Sequence, residues 1–493
     1  VGILDALARA EAAATGRAQP IATVRHVHLT ERPLVLVPLA MAGEAAAPLA
    51  VMLGCDRERP RVLVVPQPRD RDLRRAFMSE LAAAIAAELG MAGLGAAGSA
   101  ADENAVEAGV ASRPGALRGR VGGPEAEGAS GAVSVGDAGA SGEAAAAPAP
   151  GDGAVDGFAA AEPQLVVPNV AGIEFLGLLG RATRFQEGDQ VGRWLTFFAD
   201  RAQMPGSASL IAATRALGLH WATGQSAVED ANLASLLAWL DGGDPVAAER
   251  QAAGPQTDPE FDNQVLSPLI ADYDDGWPGA ADRITEALTG QLAGTWQQVW
   301  RALDAVRELP EAPSAADRWT WDVMAYAGFM TDPLPQPRSE GPIAAAARLD
   351  RLERAQARYE VQRAFDDPLV MAGYELTGDA FRCTVLAVER DRKEGRKLRP
   401  RITVDLASPV QKNGPWTSPA RRGQTAELEE ADGGVAVFVL AGGMGRGSAP
   451  AEGSVPEVGE QLVYTTLSDS FQRSATFPED VPWTHGGGAA DAG

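Results

Sequence analysis

Three short runs in the first third of the chain share one shape: LVLVP at 34–38, VLVVP at 62–66 and LVVP at 165–168. Each is continuously apolar, rich in β-branched residues and stopped by proline, the pattern of strands buried on both faces of an α/β sheet. After the second run Leu73, Phe77, Leu81, Ile85 and Leu89 recur every four residues with charge between them. This spacing predicts an amphipathic helix, with Gly90 placed to close it as a C-cap. The third run leads into GIEFLGLLGRATRF, a second helical candidate. Strands alternating with helices predict an α/β domain over 20–185, preceded by an N-terminal helix at 1–19.

That domain is interrupted. Residues 91–162 are almost all Gly, Ala, Ser, Pro and acid, with no aromatic before Phe158. Ordering a residue costs about 1–2 kcal/mol of backbone entropy, and so little apolar surface cannot offset it. A disordered insert is expected there, and a disordered tail at 479–493.

From 186 to 372 the pattern turns helical. VGRWLTFFADRA, SASLIAATRALGLHWA and VEDANLASLLAWLDGG are separated by Pro-Gly and Thr-Gly breaks, and a long run ending in RYEVQRAFDD closes the region. Trp194, Trp221, Trp239, Trp296, Trp300, Trp319 and Trp321 all fall here. Tryptophans spread at helical spacing are expected in the packing between helices of a bundle. After Met371 the grammar becomes alternation, in FRCTVLAVER, RPRITVDLAS, GQTAELEEADGGVAVFVLAGG and EQLVYTTL. Asp432-Gly433-Gly434 supplies tight-hairpin chemistry. Four or five short strands over 373–478 predict a small β-barrel of the SH3-like or OB-like sort. The fold class is therefore multidomain α+β: an N-terminal α/β domain with a disordered insert, a central α-helical bundle and a C-terminal small barrel.

Charge sharpens this picture. A formal net charge of -23 and an isoelectric point near 4.7 disfavour a protein that coats nucleic acid or anionic membrane with its whole surface. Only a local patch reverses that repulsion. Between Glu389 and Arg422 stand Arg390, Arg392, Lys393, Arg396, Lys397, Arg399, Arg401, Lys412, Arg421 and Arg422, against Glu389, Asp391, Glu394 and Asp405. Ten cations against four acids give this stretch +6 and leave -29 to the rest of the chain. It contains all three lysines of the protein. The expectation is a solvated hairpin joining the first two barrel strands, with Trp416 nearby as a stacking surface, which contacts nucleic acid or an acidic protein. Arg348, Arg351, Arg354 and Arg358 share one helical face and are placed to extend the positive strip.

Other chemistry is mostly excluded. None of the lysines follows glycine and precedes Ser or Thr, so no lysine reaches the phosphates of a P-loop nucleotide. LAGGMGRGS misses the dinucleotide spacing and no helical sequence follows it. His26 and His28 would share a face of a strand, but no third ligand lies near them in sequence, and no metal or cofactor is expected. There is no G-x-S-x-G elbow and no H-E-x-x-H. Cys55 and Cys383 are too far apart to read as a disulfide framework, no stretch approaches the ~20 apolar residues that span a bilayer, and no leader is apparent, so a cytoplasmic protein away from membranes is expected.

Two functional classes follow. One is a non-enzymatic accessory or scaffold protein whose barrel hairpin contacts nucleic acid or an acidic partner, working with a separate motor subunit because the chain has no nucleotide loop of its own. The alternative is a hydrolase-type enzyme with a pocket at the strand ends of the α/β domain, built from His26, Gln67, Arg69, Asp70 and Asn169. Against that pocket, Asp70 also suits an N-cap and Asn169 a turn.

Overall fold

Apolar strands and a proline-punctuated chain assemble into a mixed sheet in the computed structural model, which describes residues 2–43, 47–89, 163–183, 190–250, 254–331, 340–410, 412, 414–469 and 474–478. The expected disordered insert, the tail at 479–493 and the Gly90 cap lie outside the described residues. Helix α1 (Ile3–Thr15) ends on Gly16, whose φ of 68° is the left-handed conformation that suits glycine. β1 (Gln19–Pro20) precedes the sheet proper, which contains β2 (Leu34–Ala40), β3 (Pro48–Gly54), β4 (Arg61–Val64), β5 (Leu165–Val167) and β6 (Leu210–Ala212). Its order is β4-β3-β2-β5-β6. The β2-β3-β4 half is antiparallel, and β5 and β6 extend it in parallel. A last short strand, β7 (Trp221–Ala222), pairs with β1 outside this sheet.

β2 and β5 are buried along their whole length, as their unbroken apolar runs require. Three features differ from the sequence pattern. Pro38 does not stop β2, which continues to Ala40. The neighbouring β5 pairs only with Leu34 and Val35, so the missing N–H of Pro38 interrupts no ladder on that side. Strand β3, PLAVMLG, is equally apolar and was not distinguished from its surroundings. SASLIAATRALGLHWA is not one helix, because Leu210–Ala212 is β6 and only Ala213–Gly218, helix α5, is helical before β7.

The remaining helices follow the pattern more closely. α2 (Arg71–Glu88) buries Phe77, Met78, Leu81, Ala84 and Ile85. α3 (Val170–Thr183) and α4 (Gln190–Arg201) connect β5 to β6, and α6 (Leu233–Asp241) starts on an Asn232 cap. The long α7 (Ala280–Arg307) turns a stripe of Ile284, Leu288, Leu292, Trp296, Val299, Leu303 and Val306 inward. These side chains share one hydrophobic core with Val35, Val37, Leu49 and Met52 of the sheet. α8 (Pro313–Thr331), α9 (Pro342–Asp366) and α10 (Pro368–Leu376) then lead to the barrel. Trp194, Trp296, Trp300 and Trp319 are buried, but Trp321 is 54% exposed, contrary to the expected packing role.

The C-terminal module is a closed antiparallel barrel of six strands: β8 (Ala380–Glu389), β11 (Arg401–Leu406), β14 (Val435–Ala441), β13 (Arg421–Asp432), β12 (Trp416–Ser418) and β15 (Gln461–Thr465), in that circular order. Four or five strands were expected; the three-residue β12 is too short to announce itself by alternation. Gly433 and Gly434 turn the β13-β14 hairpin with φ of 56° and 92°, a conformation that penalises any side chain. Phe381, Trp416, Phe438 and Tyr464 fill the interior.

Candidate functional site

The basic stretch forms a hairpin that projects from the barrel between β8 and β11. Its arms are β9 (Lys393–Glu394) and β10 (Lys397–Leu398), antiparallel with Glu394 opposite Lys397, and Gly395 turns the tip with φ 59°. A second tie closes its base, where the Arg399 N–H donates to the Arg392 carbonyl at 2.9 Å. The cations of this region therefore stand on an ordered ladder.

The structure divides them into two groups. Arg392 bridges to Glu394 at 3.2 Å and Glu429 at 3.7 Å, and Arg399 reaches Glu394 at 3.8 Å. Arg401 pairs with Glu429 at 2.7 Å and Glu389 at 3.7 Å. Lys412 is held by Asp379, whose carboxyl is lowered chiefly by that hydrogen bond. Arg421 donates both Nη groups to Glu460, at 2.7 and 2.9 Å, and this fork lowers the Glu460 carboxyl. Arg422 bridges to the nearly buried Asp366 at 3.2 Å. These six are neutralised by the protein's own acids. By contrast Arg390, Lys393, Arg396 and Lys397 are exposed, and among the described residues none has a carboxylate within 4.0 Å. Trp416 is excluded as a stacking surface: it is fully buried in the barrel core, edge-on to Phe381 at 4.8 Å. The helical arginine strip is also partly spent, since Arg348 bridges to Glu340 and Arg354 to Asp350.

The five residues expected at the strand ends do not converge. Asp70 caps α2, accepting from the N–H groups of Asp72 at 2.8 Å and Leu73 at 3.0 Å. Asn169 does the same for α3 through Gly172 at 3.1 Å. Gln67 donates its side-chain amide to Asp274 at 2.7 Å, and its Oε1 accepts from the Arg69 N–H at 3.2 Å. His26 lines one cavity and Asn169 a separate, much smaller one, while Gln67, Arg69 and Asp70 line neither. His26 and His28 lie outside any strand and part company: His28 contacts Glu311 at 2.6 Å and stacks on Trp319. Among the described residues no three His, Cys, Asp or Glu side chains are grouped to hold a metal, and no helix is long and apolar enough to cross a membrane. Cys55 and Cys383 are buried free thiols, both pushed up to about 12 by burial.

His26 instead belongs to a buried cluster that sequence reading missed. Asp367, 0% exposed, caps α10 by accepting from Leu369 at 2.9 Å. It also accepts from the Thr23 N–H at 2.7 Å, the Thr23 hydroxyl at 2.8 Å and His26 Nε2 at 3.1 Å. Burial pushes its carboxyl up, but the donors outweigh burial and hold it well below the usual range. His220 stacks on His26 with centroids 5.9 Å apart, and its Nε2 accepts the His26 N–H at 2.9 Å. Its proton therefore sits on Nδ1, which donates to the Ala216 carbonyl at 2.6 Å. Burial pushes His220 down to about 4, so the ring is neutral at pH 7. Arg318 completes the cluster, donating to the carbonyls of His26 at 2.7 Å and Gly206 at 3.1 Å. An Asp-Pro pair at the start of a helical run was the available signal for Asp367; nothing local marked its partners 340 residues earlier. The cluster clamps the N-terminal loop to the junction between helices and barrel.

The chain matches no protein-family model, no curated protein and no solved structure.

Proposed function

We propose that this is a non-enzymatic accessory or scaffold protein whose barrel hairpin contacts the phosphate backbone of nucleic acid. The reading rests on one observation: Arg390, Lys393, Arg396 and Lys397 stand exposed on a hydrogen-bonded hairpin, unpaired among the described residues, in a chain of net charge -23. Six neighbouring cations are consumed internally, so these four are what the hairpin itself offers, with Asp391 as the exposed acid among them. Phosphate suits them better than an acidic protein surface does. Protein interfaces draw their affinity from apolar and aromatic anchors, and the hairpin offers none, with Leu398 half-buried and Trp416 inside the barrel. Phosphate contacts need only placed charge, and carry no sequence preference.

A motor subunit as companion rests on fold-level analogy and on the lack of a phosphate loop in this sequence. The strand-end hydrolase gains no support, because its five residues are dispersed and Asp70 is committed to a cap.

The test is fluorescence anisotropy of a labelled short DNA duplex with the full chain and two charge-matched variants. One carries Arg390→Gln, Lys393→Gln, Arg396→Gln and Lys397→Gln. The other carries Arg61→Gln, Arg71→Gln, Arg193→Gln and Arg250→Gln, all exposed positions away from the barrel. Loss of binding in the first alone supports the proposal. Equal loss in both, or binding of an acidic peptide in preference to the duplex, overturns it.

A further inference from the structure

A cavity of about 670 Å³ opens beside the His26 cluster, within the range of small-molecule sites. Its walls come from α5 and the turn after α4, from the start of α3 and from α9. Ile173, Met204, Leu210 and Leu219 make part of the lining apolar.

The charge of the lining is one-sided. Asp230 is its single carboxylate, and that group is already satisfied by Arg9 at 3.2 Å, the Thr223 hydroxyl at 2.6 Å and Gln225 at 3.1 Å. Arg215 and Arg363 also line the cavity, and among the described residues neither has a carboxylate within 4.0 Å. Arg363 is half-buried, and its Nε is inaccessible to solvent with no hydrogen-bond partner. The enclosed Nε is therefore not the part of this half-buried side chain that faces the cavity. The guanidinium of Arg363 lies 5.9 Å from the Tyr359 ring centre, on the same wall. The neighbouring Arg318 differs in kind: each of its three nitrogens already donates, to the carbonyls of Gly206 and His26 and to Gln362 at 2.8 Å.

We infer that this cavity binds a small organic anion, a carboxylate or phosphate group on an apolar body, with Arg363 and Arg215 holding the charged end. A planar guanidinium fork matches either group, and the apolar wall takes the rest.

Isothermal titration of the full chain with octanoate, octyl phosphate and the uncharged octanol tests this. Saturable binding at one site is expected for octanoate or octyl phosphate, with octanol at least tenfold weaker. The ratio of the two anions tells which head group the site prefers. Arg363→Gln combined with Arg215→Gln is expected to weaken the preferred anion at least tenfold while the hairpin variant binds as wild type. Arg215 is exposed, so Arg215→Gln alone leaves folding intact and is expected to weaken binding about threefold, even if Arg363→Gln perturbs the packing on Tyr359. Absence of saturable binding by both anions, octanol binding as tightly as they do, or unchanged affinity in Arg215→Gln overturns the inference.

Discussion

Removing the carboxylate of Asp367 should unfasten the protein at its middle. The group is fully buried and accepts from the N–H groups of Thr23 and Leu369, from the Thr23 hydroxyl and from His26 Nε2, at 2.7 to 3.1 Å. In Asp367→Ala the hydroxyl can rotate to another acceptor, but the backbone N–H groups of Thr23 and Leu369, the more distant N–H of Val24 and the imidazole N–H cannot. Each buried unsatisfied donor costs about 1–3 kcal/mol, and water entering the vacated space recovers part of the sum. The expected loss is about 3–5 kcal/mol. Asp367→Asn keeps one acceptor oxygen for Leu369 and the hydroxyl, but turns an amide toward the Thr23 N–H, so about 2–3 kcal/mol is expected. Urea unfolding followed by tryptophan fluorescence measures both, with the midpoint falling at unchanged slope. A loss under about 1 kcal/mol in Asp367→Ala, or an Asn variant as stable as wild type, refutes the clamp.

Two further outcomes follow from the same region. His220 is pushed down from 6.5 to about 4, so the unfolded chain takes up a proton that the native state refuses; stability is full above pH 6.5 and falls by up to about 3 kcal/mol as pH drops toward 4. Asp367, lowered from 3.8, loses its contribution only below that window, so a pH series of unfolding free energies on wild type and His220→Gln separates the two, and an identical slope in both proteins contradicts the assignment. Gly206→Ala should cost about 2–4 kcal/mol by thermal or urea unfolding: its φ is +79°, and an added Cβ meets Arg318 Cδ at 2.6 Å and Tyr359 Cδ2 at 2.8 Å. A neutral Gly206→Ala variant contradicts the close approach of this turn to Arg318 of α8 and Tyr359 of α9.

What the sequence disclosed depended on how local each determinant was. The α2 stripe, its Asp70 cap and the Gly433-Gly434 turn are set within a few residues, and all appear where the pattern places them. β6 was hidden because three apolar residues running straight into Ala213–Gly218 carry no period of their own. β12 is equally short and owes its existence to Trp416 entering the barrel core, which also defeats the stacking role the same residue suggested. For the site, the charge excess at 389–401 was visible, but its division was not. Glu429 lies 28 residues from Arg401, and Glu460 lies 39 from Arg421, separations that the pairing of the barrel strands cancels. The His26, His220 and Asp367 cluster and the Arg215 and Arg363 cavity were illegible for the same reason, since each joins segments more than 140 residues apart.

The salt dependence of duplex binding by the full chain tests the hairpin most directly. Four phosphate contacts predict that log affinity falls against log salt with a slope of about -3 to -4, roughly a hundredfold loss between about 50 and 200 mM. Removing Lys397 alone should make the slope shallower by about 1. A flat salt dependence, or a slope unchanged when Arg390, Lys393, Arg396 and Lys397 are all neutralised, contradicts the account.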